Sequence, residues 1–418
     1  MSNLNKGQKA AFDAVHTLTS QGGTMILTGK AGTGKSHVTK AIRDWYRTVI
    51  LAPTGLAAIN VGGQTIHSFF GLRPGVMEAK KLSLKKAKIL ERASLIIIDE
   101  AFMVRADLLD MVDQILRLTL DPEQPFGGMP MLFVGDPFQI EPVVRSGAEQ
   151  EWIEANFKSA FCFDSKVLSN NPPMMFELDE NMRQKGDMEF IEALNDTREG
   201  GNRFLHVLNQ RVAAPHAKAI TLTFTNNKAE AINNQKLAEI QSEQLSFTAT
   251  LDGKFEGDKD FPAALTLNLK VGARVMCLVN EGSYMNGDIG TVAGYEGGKV
   301  EVKLDKGDTV YVGVHKWEKL EFDIADGNLT AEIVGTFEQY PLRLAWATTV
   351  HKSQGQTFEH AHVEMDSRPF AHGLLYVALS RVRTLQGLTL GRPLTEQGNK
   401  ISRRVCQWTE AQKVEVAS

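Results

Sequence analysis

The sequence predicts an α/β fold with a small β-barrel inserted into its second half. Three observations predict it. Short apolar runs alternate with helical patterns up to about residue 165. A second alternation begins near Met175, breaks off, and returns at Leu342. Between Leu245 and Leu320 the pattern changes to short alternating runs punctuated by Gly272, Asn286-Gly287-Asp288, Gly297-Gly298 and Lys306-Gly307-Asp308.

The elements follow in order. Met25–Leu27, Thr48–Leu51, Leu95–Ile98, Met131–Val134 and Phe161–Phe163 read as strands of a largely parallel sheet, because strands buried on both faces are apolar throughout. Helical patterns lie between them. Val38–Trp45 is one, and Leu108–Leu118 carries apolar residues at 108, 109, 112, 115 and 116, one face of a helix. In the second half Met188–Thr197 and Asn226–Gln241 read as helices flanking a strand at Ala219–Thr223. Gly297-Gly298 between Val292–Tyr295 and Val300–Leu304 predicts a hairpin. The resulting boundaries are 1–170 for the first α/β domain, 171–241 with 335–395 for the second, 242–334 for the barrel, and 396–418 for a tail read as a surface helix.

At 418 residues the chain is long enough for two or three domains, each with its own core. Hydrophobic content of 43% and charged content of 23% are those of an ordinary globular protein. Cys162, Cys277 and Cys406 fit neither zinc nor disulfide spacing, so a reducing compartment is expected: the cytoplasm of a bacterial or phage-infected cell. No apolar run approaches the ~18 residues of a membrane span, and no targeting peptide is visible. The net charge of −4 argues against indiscriminate polyanion binding, so nucleic acid would have to be met by locally placed positive charge.

The sharpest chemical signal is Gly29-Lys30-Ala31-Gly32-Thr33-Gly34-Lys35-Ser36, between a strand and a helix. Such a loop turns backbone N–H groups inward onto phosphate oxygens at the positive end of a helix. Lys35 would reach the outer phosphates and Ser36 would hold Mg²⁺. A nucleoside triphosphate is the expected ligand. Leu95–Ile98 then runs into Asp99-Glu100. An acid at that strand end is a Mg²⁺ ligand in phosphate-loop enzymes, here Asp99, and Glu100 beside it could polarise the attacking water.

Other signals are weaker taken singly. Gln139, after Leu132–Val134 and Gly135-Asp136-Pro137, could sense the terminal phosphate, or be a solvated turn residue. Arg183 and Arg381 could stabilise transition-state charge on the γ-phosphate, or sit in surface salt bridges. Three loops are rich in hydroxyls and backbone donors with His or Lys among them: Ala52–Gly55, Thr65–Phe69 and Thr348–Gly355. Such groups contact phosphate and sugar without reading sequence. Their candidates are Pro53, Thr54, His67, Phe69, Thr349, His351, Lys352 and Ser353, with stacking on bases open to Pro53, Phe69 and Phe70 and core packing the alternative for the two phenylalanines. Arg73–Arg92 holds seven Lys/Arg against two Glu: a solvated helix face, or a contact to a phosphate backbone.

In order, these segments resemble the superfamily-one helicases, in the RecD-like and Pif-type branch. Gln8 in Leu4–Gln8 matches the adenine-reading motif, Gly29–Ser36 motif one, Asp99-Glu100 motif two and Gly135–Gln139 motif three. Arg183 matches motif four, His351–Thr357 motif five, with Gly355 at the nucleotide, and Tyr376–Arg383 motif six. Pro125–Asp136 resembles the Pif-type signature, and the match spans residues 4–391. The resemblance implies two RecA-like domains with ATP between them, a wedge inserted near residues 70–90 of the first, and a Src-homology-type barrel in the second. It implies Mg²⁺ as cofactor, with the nucleotide held by Gln8, Gly29, Ala31, Gly32, Thr33, Gly34, Lys35 and Ser36. It also implies 5′→3′ movement on single-stranded DNA and separation of a forked duplex by a monomer, with single-stranded-DNA-binding or replisome proteins as partners. There are departures. Motif two reads Asp-Glu-Ala-Phe where the branch has Asp-Glu-Ile-Ser, and the wedge is short.

The leading expectation is therefore an ATP-dependent DNA helicase acting in replication, repair or recombination. A partner-regulated, DNA-binding ATPase subunit without unwinding of its own is the alternative, favoured by the short wedge. A metabolic kinase would not need two RecA-like halves.

Overall fold

The computed structural model describes residues 4–72, 79–144, 147–182, 186–255, 261–325, 328–365 and 371–417. The chain divides into two compact units, Met1–Arg183 with Lys319–Val334 and Arg403–Ser418, and Gln184–Glu318 with Gly335–Ser402. No helix among the described residues is long and apolar enough to cross a membrane.

The first unit is built on a six-stranded parallel sheet. Its elements are α1 (Lys6–Gln21), β1 (Thr24–Gly29), α2 (Lys35–Trp45), β2 (Thr48–Ala52), α3 (Gly55–Val61), β3 (Gln64–Thr65), α4 (Ile66–Phe70), α5 (Leu84–Arg92), β4 (Leu95–Ile98), α6 (Ala106–Thr119), β5 (Met131–Val134) and β6 (Met174–Leu178). The sheet order is β3-β2-β4-β5-β1-β6. Successive side chains of a strand face opposite ways, so each central strand feeds two cores. Ile26, Ile96 and Ile98 pack on one face with α5 and α6. Met25, Leu27, Leu95 and Ile97 pack on the other with Val38 and Ile42 of α2 and Val15 of α1. The continuous apolar runs are explained by this burial on both sides.

Two expectations are corrected in this unit. Phe161–Phe163 is not a strand: Cys162–Asp164 forms a 3-10 turn, with Phe161 and Phe163 stacked at 5.1 Å. Residues 174–178 do not open the second domain: Met25–Gly29 pairs in parallel with Met174–Leu178, so the first domain runs past residue 170.

The second unit holds a four-stranded parallel sheet in the order Ala347–Thr349, Ile220–Thr223, Ala361–Val363, Leu388–Leu390. Between the first two of these in sequence lies an antiparallel five-stranded sheet, Thr309–Val312, Lys299–Leu304, Ile289–Glu296, Arg274–Cys277 and Leu342–Leu344. The hairpin at Gly297-Gly298 forms as predicted, with Glu296 opposite Lys299. Leu342–Leu344 is a further correction, because Val275 pairs with Leu344 and Cys277 with Leu342, so the α/β pattern resumes only at Ala347.

The tail is the last correction. Its helix, Arg403–Ala417, is no free surface element: Val405 and Trp408 are buried in the first unit's core beside Phe102 and Phe163.

Candidate nucleotide and nucleic-acid sites

β1 ends at Gly29, whose φ of 151° and near neighbours leave no room for a side chain. A Cβ there would lie 2.5 Å from the Leu178 carbonyl oxygen. Gly34, at φ 87°, is the N-cap of α2 and supplies no side chain to cap it. The positive end of α2 thus carries no side-chain cap and suits an anion. Lys35 donates to the Gly29 and Lys30 carbonyl oxygens at 2.5 and 3.2 Å, so its ammonium rests inside the loop. Ser36 next to it is exposed.

Gln8 is buried at 3% exposure against this loop. Its Nε2 donates to the Thr33 carbonyl at 3.3 Å and its Oε1 accepts from the Asn5 N–H at 3.1 Å. A primary amide has two donors and two acceptor sites. These two bonds use one of each and fix its orientation. Asn181 is a residue that sequence reasoning passed over. Its Nδ2 donates to the Ala31 carbonyl at 3.2 Å, and the Met182 N–H donates to the Gly32 carbonyl at 2.8 Å. The segment after β6 therefore brackets the phosphate loop, a role hinted at only by its adjacency to Arg183. Arg183 lies outside the described residues.

β4 delivers Asp99 and Glu100. Loss of solvent pushes the Asp99 carboxyl up to about 6, against the pull of the Glu100 N–H and the Lys35 charge. Glu100 has φ 49° and ψ 42°, left-handed backbone for a residue that is not glycine. Such a conformation costs about 1–3 kcal/mol and persists only where its surroundings over-determine it. β5 delivers the third polar turn. There Asp136 is buried, its carboxylate accepts from the Phe138 N–H at 3.2 Å, and the Gln139 N–H donates to its carbonyl at 3.0 Å.

In the second unit, the loop after Ala347–Thr349 is held from within. Arg381 is 1% exposed. Its Nε donates to the Val377 carbonyl at 2.8 Å, and its Nη1 to the Ser353 and Gln356 carbonyls at 3.1 and 3.2 Å. Its Nη2 donates to the Ser380 hydroxyl at 2.7 Å. It is no surface salt-bridge residue; the guanidinium shapes the Ser353–Gln356 loop. Gly355 in that loop has φ 78° and is exposed.

The nucleic-acid candidates divide by burial. Thr54 and Lys352 are exposed, and Pro53, His67 and His351 are half-buried. Burial lowers the pKa of both histidines, which favours their neutral form. Thr54 also caps α3, accepting from the Ala57 N–H at 3.2 Å. Three candidates are corrected. Phe69 is 1% exposed in the first unit's core, with the Phe70 ring edge-on at 5.0 Å, so it cannot stack on a base without leaving that core. Thr349 is buried and its hydroxyl accepts from the Lys352 N–H at 3.3 Å. Ser353 is fully buried and its hydroxyl donates to the Val350 carbonyl at 2.8 Å. These two build the loop rather than present a side chain to a ligand.

The basic stretch resolves similarly where it is described. Lys81, Lys85 and Lys88 are exposed around α5, whose Ala87, Ile89 and Leu90 are buried. Lys86 donates to the Ser68 carbonyl at 3.1 Å and to that of Phe69. The Pif-type signature is structural: the Phe126 N–H donates to Asp113 of α6 at 2.6 Å, and a Cβ on Gly127 would lie 2.5 Å from the Leu116 carbonyl oxygen.

Residues 3–213 match the family model described as PIF1-like helicase, and residues 344–389 match that of the UvrD-like helicase C-terminal domain. The chain is 33% identical over 413 residues to the ATP-dependent DNA helicase Pif1 of Bdellovibrio bacteriovorus, covering 93% of this chain and 87% of that protein. A solved structure of Bacteroides sp Pif1 in complex with ADP-AlF4 superposes with a TM-score of 0.90 at 32% identity, covering 99% of this chain and 97% of the other. Pif1 helicase from Bacteroides in complex with ADP-AlF3 and single-stranded DNA matches with a TM-score of 0.70 at 33% identity, covering 99% and 98%.

Proposed function

The chain belongs to the PIF1-like helicase family, and on that premise we propose that it is an ATP-dependent DNA helicase, moving 5′→3′ on single-stranded DNA and separating the duplex ahead. The observation that carries the reading is the phosphate loop, with the Lys35 charge felt at the Asp99 carboxylate, inside a chain that matches a DNA helicase over 93% of its length.

Nucleotide binding would draw Lys35 off the loop carbonyls onto the β- and γ-phosphates, exchanging neutral acceptors for charged ones. Gln8, with one donor and one acceptor site left, suits the adenine edge. The oxygen donors suit Mg²⁺: the exposed Ser36 hydroxyl and the Asp99 carboxylate, whose raised pKa a nearby divalent charge would reverse. Among the described residues no cluster of three His, Cys, Asp or Glu could hold a metal. The ion would neutralise charge developing on the transferred phosphoryl group. Glu100 accepts a proton from the attacking water, and Gln139, Arg183 and Arg381 respond to the γ-phosphate; for Arg381 this requires an exchange of carbonyl partners. Thr54 and Lys352 meet the DNA backbone, with Pro53, His67 and His351 beside them. Breaking a base-pair step costs about 1.4 kcal/mol, so a one-base step per ATP needs only modest coupling.

The bacterial relative supports a cytoplasmic protein of a bacterial or phage-infected cell. We propose further that it works as a monomer, with single-stranded-DNA-binding or replisome proteins as partners. The subunit reading loses its support, since the relatives matched across nearly the whole chain are themselves named helicases.

The test is strand separation on forks carrying only a 5′ or only a 3′ single-stranded tail, with Lys35→Ala as control. ATP-driven unwinding of the 5′-tailed fork alone is expected, absent in Lys35→Ala. DNA-stimulated hydrolysis with no strand separation would return the subunit reading.

A further inference from the structure

The departure in motif two, Phe102, stands two residues after the candidate base, and the fold gives it a definite setting. Phe102 lies in the 3-10 turn Ala101–Met103 and is 3% exposed. On one side it meets Gly135 of motif three, where a Cβ would sit 2.8 Å from the ring. On the other it meets the helix that ends the chain. The Trp408 ring stands edge-on to it at 5.9 Å, and Phe163 lies at 6.3 Å. Trp408 and Phe163 are themselves stacked, 4.4 Å apart and 9° from parallel. One turn earlier the same helix is pinned by Arg404, which donates to both oxygens of the buried Asp164 carboxylate at 2.7 and 2.5 Å. The Arg404 guanidinium also lies 5.7 Å over the Phe163 ring.

The turn so gripped begins at Glu100, one of only two non-glycine residues with positive φ among those described. Left-handed backbone at such a residue survives where both flanks hold it. Upstream is β4, fixed in the centre of the sheet. Downstream, the Met103 N–H donates to the Glu100 carbonyl at 3.0 Å, and Phe102 is wedged between Gly135 and the Trp408–Phe163 plate. A serine, as the resembling pattern has here, would reach neither ring.

We propose that Trp408 is a positioning residue for ATP hydrolysis: stacked on Phe163, it holds Phe102 against Gly135 and thereby fixes the backbone of Glu100, which sets the direction of its carboxylate. The C-terminal helix is then part of the hydrolytic apparatus although it touches no substrate. The inference rests on the reading of Glu100 as the general base.

The experiment is single-stranded-DNA-stimulated ATP turnover by the full chain, with kcat and KM separated. Trp408→Leu keeps the site apolar but removes the plate, and should lower kcat about tenfold with KM for ATP unchanged, while Trp408→Phe restores most of it. In a Glu100→Gln background the same Trp408→Leu change should cost nothing further, because the group it positions is gone. Should Trp408→Leu fail to fold, Arg404→Gln loosens the same helix at its first turn, with about a threefold loss of kcat that also vanishes in Glu100→Gln. A wild-type kcat in these helix variants, or a loss that persists unchanged in the Glu100→Gln background, overturns the proposal. A near-wild-type kcat in Glu100→Gln alone overturns the underlying assignment of the base instead.

Discussion

Two loops follow parallel strands in the two units, and they treat their cations in opposite ways. In the Gly29–Ser36 loop, Lys35 is held by two carbonyls, Ser36 is exposed and no side chain caps α2. Against the loop running from Val350 to Gln356, Arg381 is buried and engaged by the Ser353 and Gln356 carbonyls of that loop, the Val377 carbonyl and the Ser380 hydroxyl, and Ser353 is turned inward onto Val350. Here the polar groups make the loop. A cation in a motif is thus a ligand group or a scaffold according to what its hydrogen bonds already satisfy, and residue type does not decide between them.

Arg381→Ala tests the contrast most severely. If Arg381 both shapes its loop and answers the γ-phosphate, two losses follow from one substitution. Turnover should fall by about 10³ or more, the worth of such an arginine. The second unit should lose on the order of 1.5–3 kcal/mol for each charged hydrogen bond left unmade. Thermal unfolding, nucleotide binding and turnover measured together decide the matter. An unchanged melting temperature would remove the scaffold role, and equal losses of binding and turnover would reassign Arg381 to ground-state binding. Arg381→Lys should not rescue, since one ammonium cannot span the three carbonyls the guanidinium fork reaches.

Phe69→Ala carries the contrast into the first unit. As a core residue beside Phe70, Phe69 should cost about 3–5 kcal/mol of stability when truncated. Chemical denaturation reads that loss directly. The DNA affinity of the molecules that remain folded should be unchanged. A stable variant with weakened single-stranded-DNA binding would put the ring back at the nucleic acid.

What the sequence made legible follows from the same physics. Strands buried on both faces announce themselves as apolar runs, so β1, β2, β4 and β5 could be read directly. The phosphate loop was legible because its glycines answer local backbone geometry. Non-local partners left no such mark. Residues 174–178 look like any short strand until they pair with β1, and Leu342–Leu344 sits beside Ala347–Thr349 in sequence yet joins the other sheet. Phe161–Phe163 is an apolar triplet whose rings stack through a turn, which three residues cannot reveal. Hydroxyls at Thr349 and Ser353 advertise chemistry, but whether they face a ligand or their own backbone is a matter of burial, which spacing does not encode. Trp408 is the extreme case, since its partners Phe102 and Phe163 lie far away along the chain.

Lys352 is the mildest test and bears on the same division. It is exposed, one residue before the fully buried Ser353, on a loop whose shape is set without its side chain. Removing its charge should therefore leave stability and nucleotide binding intact, since exposed substitutions away from structural contacts shift stability little. A lysine on a phosphate releases counter-ions when it binds. Lys352→Ala should lower the slope of log affinity against log salt by about 0.7 on single strands, uniformly across sequences. Titration of single-stranded DNA at several salt concentrations measures that slope. An unaltered slope would mean that Lys352 meets no DNA phosphate and is a solvated surface charge.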